Sequence, residues 1–220
     1  KGIFFDGFAF WDEKRAIAYS DPIDKKFFVI RTLNGKTWEP IPAAGFPEAL
    51  EGEAGFAASG TGIQVMGDST AWIATGGGAS ARVMKSVDLG KTWNVYATPL
   101  VSKEGAGIFS MVYISQQKGI VVGGSYLDST NSTANCAVTK DGGLTWEEIR
   151  SNQPQGYRSC VAVTPDGDHV FAVGRTGSER SDDGGLTWKV IGTDGYYACA
   201  SSKKYVWAVG RSRKIAKLTL

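Results

Sequence analysis

Ser86-Val-Asp-Leu-Gly-Lys-Thr-Trp93 is a segment that returns twice later in the chain, as Thr139-Lys-Asp-Gly-Gly-Leu-Thr-Trp146 and Ser181-Asp-Asp-Gly-Gly-Leu-Thr-Trp188. A degenerate copy, Arg31-Thr-Leu-Asn-Gly-Lys-Thr-Trp38, precedes them. The full copies run from a small hydroxyl residue through Asp and Gly to Thr-Trp, with apolar residues on both sides, which is typical of a tight turn joining two strands. Their tryptophans recur every 42 to 55 residues, a period that indicates a repeat architecture.

Each residue type in the segment has a physical role in such a turn. The Asp carboxylate accepts hydrogen bonds from turn amides, the Gly adopts a positive φ, and the Trp begins the next strand with a buried ring. In the first copy, Leu33 stands at the Asp position and Arg31 at the Ser position, so we expect that turn to lack its carboxylate and to use Asn34 as its left-handed residue. The predicted structural residues of the full copies are Asp88, Gly90, Trp93, Asp141, Gly143, Trp146, Asp183, Gly185 and Trp188.

The composition favours an all-β protein built from many short strands. The chain has 220 residues, 42% of them hydrophobic and 21% charged, and its 29 Gly and 7 Trp suit turns and strand ends. A net charge of +2 gives no electrostatic reason to expect a nucleic acid partner. No apolar run approaches the roughly 20 residues of a membrane span, so we expect no membrane insertion.

The residues that commonly bind metals or cofactors are few. Cys136, Cys160 and Cys199 fall in predicted strands, where we expect buried free thiols, and His169 is the one histidine. This pattern predicts no metal site. Gly35-Lys36-Thr37 and Gly90-Lys91-Thr92 lack the earlier glycine of a phosphate-binding loop, so no cofactor is expected.

The intervals between the repeated segments are filled by units of four short strands. Four-stranded antiparallel units at this spacing are the blades of a β-propeller. We therefore predict one all-β propeller domain or a fragment of one, with no strand left over at the start of the chain to complete the last blade. The predicted blades cover approximately 4–41, 55–98, 107–149 and 157–191, with a partial blade at 196–220.

The repeated segment resembles the Asp box, or BNR repeat, of sialidases, the sortilin ectodomain, xyloglucan-degrading enzymes and the photosystem II stability and assembly factors. Phe5-Asp-Gly-Phe-Ala-Phe-Trp11, Val121-Val-Gly-Gly124 and Gly156-Tyr-Arg-Ser159 are similar to bacterial relatives of the assembly factor, which are often labelled oxidoreductases. That resemblance implies an exported bacterial protein, periplasmic or extracellular, with about seven blades, of which roughly the last five are present.

Propeller topology predicts where a ligand would bind. The starts of the innermost strands and the loops between second and third strands share one face, and the Asp-box turns lie on the opposite face. No catalytic constellation is evident, so we predict a monomeric, non-enzymatic scaffold that binds a protein or glycan partner on the strand-start face. The candidate binding residues are Arg158, Tyr157, Arg175, Arg211, Arg82, Ser59 and Tyr126.

The alternative is a glycoside hydrolase of the sialidase or xyloglucanase type. Most glycosidases need two carboxylates on either side of the scissile bond. Asp6, Glu51 and Glu53 are the candidate catalytic carboxylates, since they fall near the starts of first strands.

Overall fold

The computed structural model describes residues 2–220, which form 19 β-strands and two 3-10 turns. The first sheet contains β1 (Phe5–Phe10), β2 (Ala16–Ile23), β3 (Lys26–Thr32) and β4 (Glu39–Pro40). The second contains β5 (Ile63–Met66), β6 (Thr70–Ala74), β7 (Arg82–Ser86) and β8 (Asn94–Ala97). The third contains β9 (Ala106–Tyr113), β10 (Gly119–Ser125), β11 (Cys136–Thr139) and β12 (Glu147–Glu148).

The fourth sheet contains β13 (Cys160–Val163), β14 (Val170–Gly174), β15 (Gly177–Ser181) and β16 (Lys189–Gly192). The fifth has three strands, β17 (Ala198–Ser201), β18 (Tyr205–Val209) and β19 (Ile215–Thr219). The 3-10 turns are Ala43–Gly45 and Arg211–Arg213. Among residues 2–220, no helix has the length and hydrophobicity that crossing a bilayer requires.

The five sheets are arranged as successive blades of a propeller. Every sheet is an antiparallel meander in which strands adjacent in sequence are hydrogen-bonded neighbours. The first strands β1, β5, β9, β13 and β17 contact one another in that order, so they line the inside of the blade array. The predicted all-β propeller fold, with about five blades, is confirmed.

The hydrophobic core is divided into four clusters, each between consecutive sheets. Ile17 and Ile63 meet between blades 1 and 2, and Met111 belongs to the cluster between blades 2 and 3. The next cluster includes Ile120, and the last is built from small residues such as Ala208. Each inner sheet therefore buries both of its faces, which explains the near-continuous apolar runs of β10 and β14.

The three full Asp boxes form the predicted turn. In the third blade, the Asp141 carboxylate accepts hydrogen bonds from the backbone N of Leu144 and of Thr145, both at 3.0 Å, and from the Thr145 hydroxyl at 2.5 Å. The Thr139 hydroxyl donates to the same carboxylate at 2.8 Å and accepts from the Gly143 N at 2.9 Å. These bonds hold the pKa of Asp141 well below its usual range.

The box glycines fix the position of each blade against the preceding one. Gly90, Gly143 and Gly185 have φ values of 78°, 92° and 90°, which side-chain-bearing residues rarely adopt. A Cβ on Gly90 would lie 2.7 Å from Ile17 of blade 1, and a Cβ on Gly185 would lie 2.8 Å from Ile120 of blade 3. The turn thus needs glycine both for its backbone conformation and for its close approach to the neighbouring sheet.

The box tryptophans lie against the same interfaces. The Nε1 of Trp93 donates to the Gly90 carbonyl at 2.8 Å, and the Nε1 of Trp188 donates to the Gly185 carbonyl at 3.0 Å. In the third box, Trp72 of blade 2 instead donates to the Gly142 carbonyl at 2.9 Å. The ring of Trp146 packs against the core between blades 2 and 3.

The first box differs from its prediction, because its motif is one residue shorter than the others. Asn34, and not Leu33, takes the Asp position, since the Asn34 Oδ1 accepts from the N of Lys36 and of Thr37 at 2.9 Å. Thr32, and not Arg31, takes the Ser position, and its hydroxyl accepts from the Gly35 N at 2.9 Å. The left-handed residue is Gly35, with φ 71°. An amide oxygen thus replaces the carboxylate.

The two end blades expose apolar side chains on their outer faces. On blade 1, Phe8 and Phe10 are 52% and 65% exposed, and Trp38 of the first box is 40% exposed. On blade 5, Trp207 and Ile215 are 45% and 67% exposed. The tryptophans of the full boxes are covered by the preceding blade, and within residues 2–220 blade 1 has no preceding sheet.

The shifted first box predicts different effects for two neighbouring substitutions. We expect Asn34→Ala to lower the free energy of unfolding by about 1–2 kcal/mol, because it removes the acceptor of two turn amides. Leu33→Ala is the matched control and should change it by less than about 0.5 kcal/mol, because Leu33 is 44% exposed. Urea unfolding of both variants measures the difference. A larger loss of unfolding free energy for Leu33→Ala than for Asn34→Ala would contradict this assignment and favour the alignment that places Leu33 at the Asp position.

Candidate functional site

The strand-start face carries an open cleft where blades 3, 4 and 5 meet. Its volume is about 580 Å³, and it continues into a second depression of about 310 Å³ toward the innermost strands. The larger cleft is lined by Tyr126, Leu127, Ser129, Arg175, Thr176, Gly195, Tyr197, Arg211 and Lys214. The smaller one is lined by Ala58, Tyr126, Tyr157, Ser159, Arg175 and Tyr197. The structure thus brings together Arg175, Arg211, Tyr126 and Tyr157, four of the predicted binding residues.

The two arginines of the cleft are open to solvent. Arg175 lies in the β14–β15 loop, is exposed, and donates to the Tyr126 carbonyl at 3.2 Å. Arg211 is exposed and lies in the β18–β19 loop, where Ser212 and Arg213 have left-handed φ values of 57° and 63°. Side-chain-bearing residues adopt such values at an energetic cost, and they cluster at functional loops. The charge of Lys214 is neutralised by Asp194 at 2.7 Å.

Aromatic rings form the inner wall of this face. Phe56 and Phe109 stack with centroids 3.9 Å apart, and Tyr157 meets Phe109 edge-on at 4.7 Å. Tyr157 is 4% exposed, and burial raises the pKa of its hydroxyl. Tyr126 is 42% exposed. Tyr157 is therefore part of the rigid floor, and Tyr126 is the aromatic residue that a ligand would contact.

Arg158, predicted as a leading binding residue, has a different role in the structure. It is 1% exposed, and its guanidinium forms a two-pronged ion pair with the buried carboxylate of Glu179. It also donates to the Tyr157 carbonyl at 2.8 Å and to the Gln155 carbonyl at 2.7 Å. Arg158 therefore fastens the segment before β13 to strand β15 and offers no free donor to a ligand.

Arg82 and Glu53 form the corresponding ion pair in blade 2. The Glu53 carboxylate accepts from Arg82, from the Thr75 hydroxyl at 2.6 Å and from the Leu50 backbone N at 2.8 Å. Glu53 is 5% exposed, and Glu51 beside it is exposed. Arg82 is thus not a free contact residue, and Glu53 is a charge partner rather than an open acid or base.

Asp6 lies buried in the seam between blades 1 and 2. It is 4% exposed, and its Oδ2 has no hydrogen-bond partner in residues 2–220. The nearby Asp21 carboxylate accepts from the Gly55 N at 2.9 Å. Burial, and second the charge of Asp21, raise the pKa of Asp6 to about 7. No arginine or lysine pairs with Asp6 in the described part of the chain, in contrast to Glu53 and Glu179.

A chain of hydroxyl and thiol groups crosses the innermost strands, and sequence reasoning missed most of it. Ser59, a predicted binding residue, contacts the Thr61 hydroxyl at 2.6 Å, and Thr61 contacts the Ser110 hydroxyl at 2.5 Å. The Thr61 hydroxyl is 3.9 Å from the Cys160 sulfur, and the Ser110 hydroxyl accepts from the Val161 N at 2.9 Å. The signal available in the sequence is a small polar residue on a first strand or just before it, as at Thr61, Ser110 and Cys160.

A second cleft, of about 630 Å³, lies on the Asp-box face between blades 3 and 4. His169 and Lys118 line it, and the His169 Nδ1 is 2.8 Å from the Asp182 carboxylate, which Arg180 also contacts at 2.5 Å. Within residues 2–220, no three His, Cys, Asp or Glu side chains are grouped so as to hold a metal ion.

Comparisons with protein-family models and with curated proteins return no match for this chain. Among solved structures, YCF48 bound to a D1 peptide aligns with a TM-score of 0.62 at 16% identity, over 98% of this chain and 64% of YCF48. An ancestral GH74 enzyme aligns with a TM-score of 0.61 at 12% identity, over 98% of this chain and 31% of the enzyme. The chain spans less than two thirds of either protein, and what it shares with them is the propeller fold.

The buried ion pair predicts unequal effects for two arginine substitutions on the same face. We expect Arg158→Ala to lower the free energy of unfolding by about 3–5 kcal/mol, because it leaves Glu179 charged and buried without a partner. Arg175→Ala should change it by less than about 0.5 kcal/mol, because Arg175 is exposed. Urea unfolding measures both. Equal losses of unfolding free energy in the two variants would show that Arg158 is no more important for the fold than the exposed Arg175.

The raised pKa of Asp6 predicts a pH-dependent stability. The folded state holds the Asp6 proton up to about pH 7, and an unfolded aspartate loses it near pH 4. Stability from this group is complete below about pH 4 and is lost as pH rises through about 7. Asp6→Asn should remove that decline and stabilise the protein at pH 8 by about 2–4 kcal/mol. Thermal unfolding between pH 4 and 8 tests this, and an unchanged pH profile in the variant would contradict it.

Proposed function

We propose that this chain is a non-enzymatic propeller scaffold that binds a protein partner in the cleft between blades 3, 4 and 5. The observation that carries the proposal is the presence of two exposed cationic side chains, Arg175 and Arg211, beside the exposed aromatic rings of Tyr126 and Tyr197. Arginine and tyrosine are the side chains that most often dominate binding energy at protein interfaces.

The charges of the cleft indicate the chemistry of its partner. Lys214 is paired with Asp194, whereas Arg175 makes one hydrogen bond to a carbonyl and no ion pair among the described residues. An exposed guanidinium can form two parallel hydrogen bonds with a carboxylate. We therefore propose that the partner presents an acidic group together with an aromatic or apolar residue, in an extended segment that follows the cleft.

The YCF48 structure supports a protein ligand over a glycan, because YCF48 carries a bound D1 peptide on the same fold. The similarity to a GH74 enzyme supports the fold alone. Two of the three carboxylates of the hydrolase alternative fit catalysis poorly, since Glu53 is engaged by Arg82 and Asp6 is buried, and only Glu51 is exposed. We further propose that the protein acts in the periplasm or outside the cell, as its resemblance to exported assembly-factor relatives implies.

The proposal predicts that reversing charge in the cleft abolishes peptide binding. The probe is an array of ten-residue peptides that vary in acidic and aromatic content, followed by fluorescence anisotropy with the best binder. We expect Arg175→Glu with Arg211→Glu to weaken that binding by about tenfold or more. The matched control is Lys118→Glu with Lys140→Glu, which makes the same charge change on the Asp-box face and should leave affinity within about twofold.

Two results would overturn the proposal. The first is equal loss of affinity in both double variants, which would indicate nonspecific charge attraction. The second is release of reducing ends from xyloglucan or sialosides by the wild-type protein and its loss in Glu53→Gln, which would favour the glycoside hydrolase.

A further inference from the structure

Cys160 and Cys199 lie opposite each other on the innermost strands of blades 4 and 5. The Cys160 sulfur accepts a hydrogen bond from the Cys199 backbone N at 3.3 Å and donates to the Cys199 carbonyl O at 3.4 Å. Both thiols are free in the structure and buried, with Cys160 0% and Cys199 9% exposed. The sulfur of one cysteine therefore rests on the backbone of the other.

The preceding blade junction shows what this contact requires. There the Ser110 hydroxyl accepts from the Val161 backbone N at 2.9 Å, so Ser110 corresponds to Cys160 and Val161 corresponds to Cys199. A serine and a valine are enough for the hydrogen bond between neighbouring first strands. The contact thus accounts for a small polar residue at position 160, but it does not account for a cysteine at 199.

The contacts of the Cys160 sulfur with the Cys199 backbone set the two cysteines side by side on neighbouring first strands. A disulfide needs Cα atoms about 4.4–6.8 Å apart and Cβ atoms about 3.5–4.5 Å apart. Since the backbone N and carbonyl O of Cys199 lie on either side of its Cα, the Cys160 sulfur sits over that Cα. The Cys199 sulfur faces the Phe171 carbonyl at 3.9 Å, so bond formation requires it to turn toward Cys160.

The surroundings of Cys160 favour its reactive form. The neighbouring Cys199 side chain and the hydrogen bond from the Cys199 backbone N, with smaller effects of the Thr61 and Ser59 hydroxyls, lower the pKa of Cys160 to about 6 against the effect of burial. Cys160 in turn raises the pKa of Cys199 well above its usual range, so Cys160 is the thiol of the pair that ionises first. The thiolate is the form of cysteine that attacks disulfides. Ser159, the neighbour of Cys160, lines the smaller cleft, but the Cys160 side chain is itself 0% exposed, so an oxidant reaches it during folding or when the seam between blades 4 and 5 opens.

We propose that Cys160 and Cys199 form a disulfide that fastens blade 5 to blade 4 when the chain meets a disulfide oxidant, such as oxidised glutathione or a thiol–disulfide oxidoreductase. The Cys160 thiolate attacks one sulfur of the oxidant and releases the other half as a thiol. The Cys199 thiol then gives up its proton as its sulfur attacks the Cys160 sulfur, and the second half of the oxidant leaves as a thiol. The oxidant takes up two electrons and both thiol protons, and the chain loses two hydrogen atoms.

The experiment oxidises the protein in two ways, so that burial of the thiols does not decide the result. One sample is treated folded with oxidised glutathione, and the other is refolded from urea in a glutathione redox buffer. Free thiols are alkylated, and the unreduced digest is analysed by mass spectrometry. We expect a cross-linked peptide pair containing Cys160 and Cys199, and an unfolding temperature roughly 5–10 °C above that of the reduced protein.

Three variants separate the disulfide from simple packing. Cys160→Ser keeps the hydrogen-bond acceptor that Ser110 supplies at the other junction, so it should fold but show no difference between oxidised and reduced samples. Cys199→Ala should behave likewise. Cys136→Ala is the control, because Cys136 lies in the core between blades 3 and 4, and it should retain the cross-link and the thermal shift.

The proposal is overturned if Cys160 and Cys199 are both alkylated after refolding in the redox buffer. It is equally overturned if Cys136 is a member of the dominant cross-link, or if the cross-linked protein unfolds at the temperature of the reduced one.

Discussion

The structure depends on one turn, in which a carboxylate gathers backbone amides and a glycine is pressed against the preceding sheet. In the third blade, Asp141 accepts hydrogen bonds from two amides and two hydroxyls, all of which belong to the turn itself. The adjoining glycine must approach the neighbour closely, as Gly185 does at Ile120. The turn therefore sets two things at once, the hairpin within a blade and the spacing between blades. Asn34 shows that an amide oxygen can supply the first of these roles.

On the strand-start face, opposite the Asp-box turns, buried ion pairs hold the backbone in place. In blades 2 and 4, a buried glutamate forms an ion pair with an arginine of the same blade. Glu53 precedes Arg82 in the chain, whereas Arg158 precedes Glu179. Such a pair contributes little net stability when intact, but it fixes the backbone around it, since breaking it leaves a charge without solvent. In blade 4 the fixed backbone includes the carbonyls of Gln155 and Tyr157, close to the loop that presents Arg175. Rigid support and an exposed charge on adjacent elements are a common arrangement for a binding surface.

Much of the fold could be predicted from the sequence, because the Asp box combines residues with strict local requirements. Asp141 and Gly143 act within a few residues of each other, so their spacing alone reveals the turn. The candidate site was harder to predict from the sequence, because the burial of an arginine depends on a partner that is distant in sequence. Arg158 and Arg175 were equivalent candidates in the sequence, and only the position of Glu179 separates a structural charge from an available one. The first box was misaligned for a related reason, since Trp38 marks the end of the motif but not its length.

The division of the core into separate clusters has a consequence for how the molecule loses structure. Each cluster joins only two consecutive sheets, so cooperativity passes from neighbour to neighbour, as in other repeat proteins. Within residues 2–220, blade 5 is held by a single cluster of small side chains, whereas blades 2, 3 and 4 each share two. Among the four interfaces described, the one between blades 4 and 5 has the smallest side chains, so we expect amide hydrogens beside it to exchange faster than those beside the other three. Because Arg211 and Tyr197 belong to blade 5, the shape of the cleft depends on how firmly this cluster of small side chains holds blade 5 to blade 4.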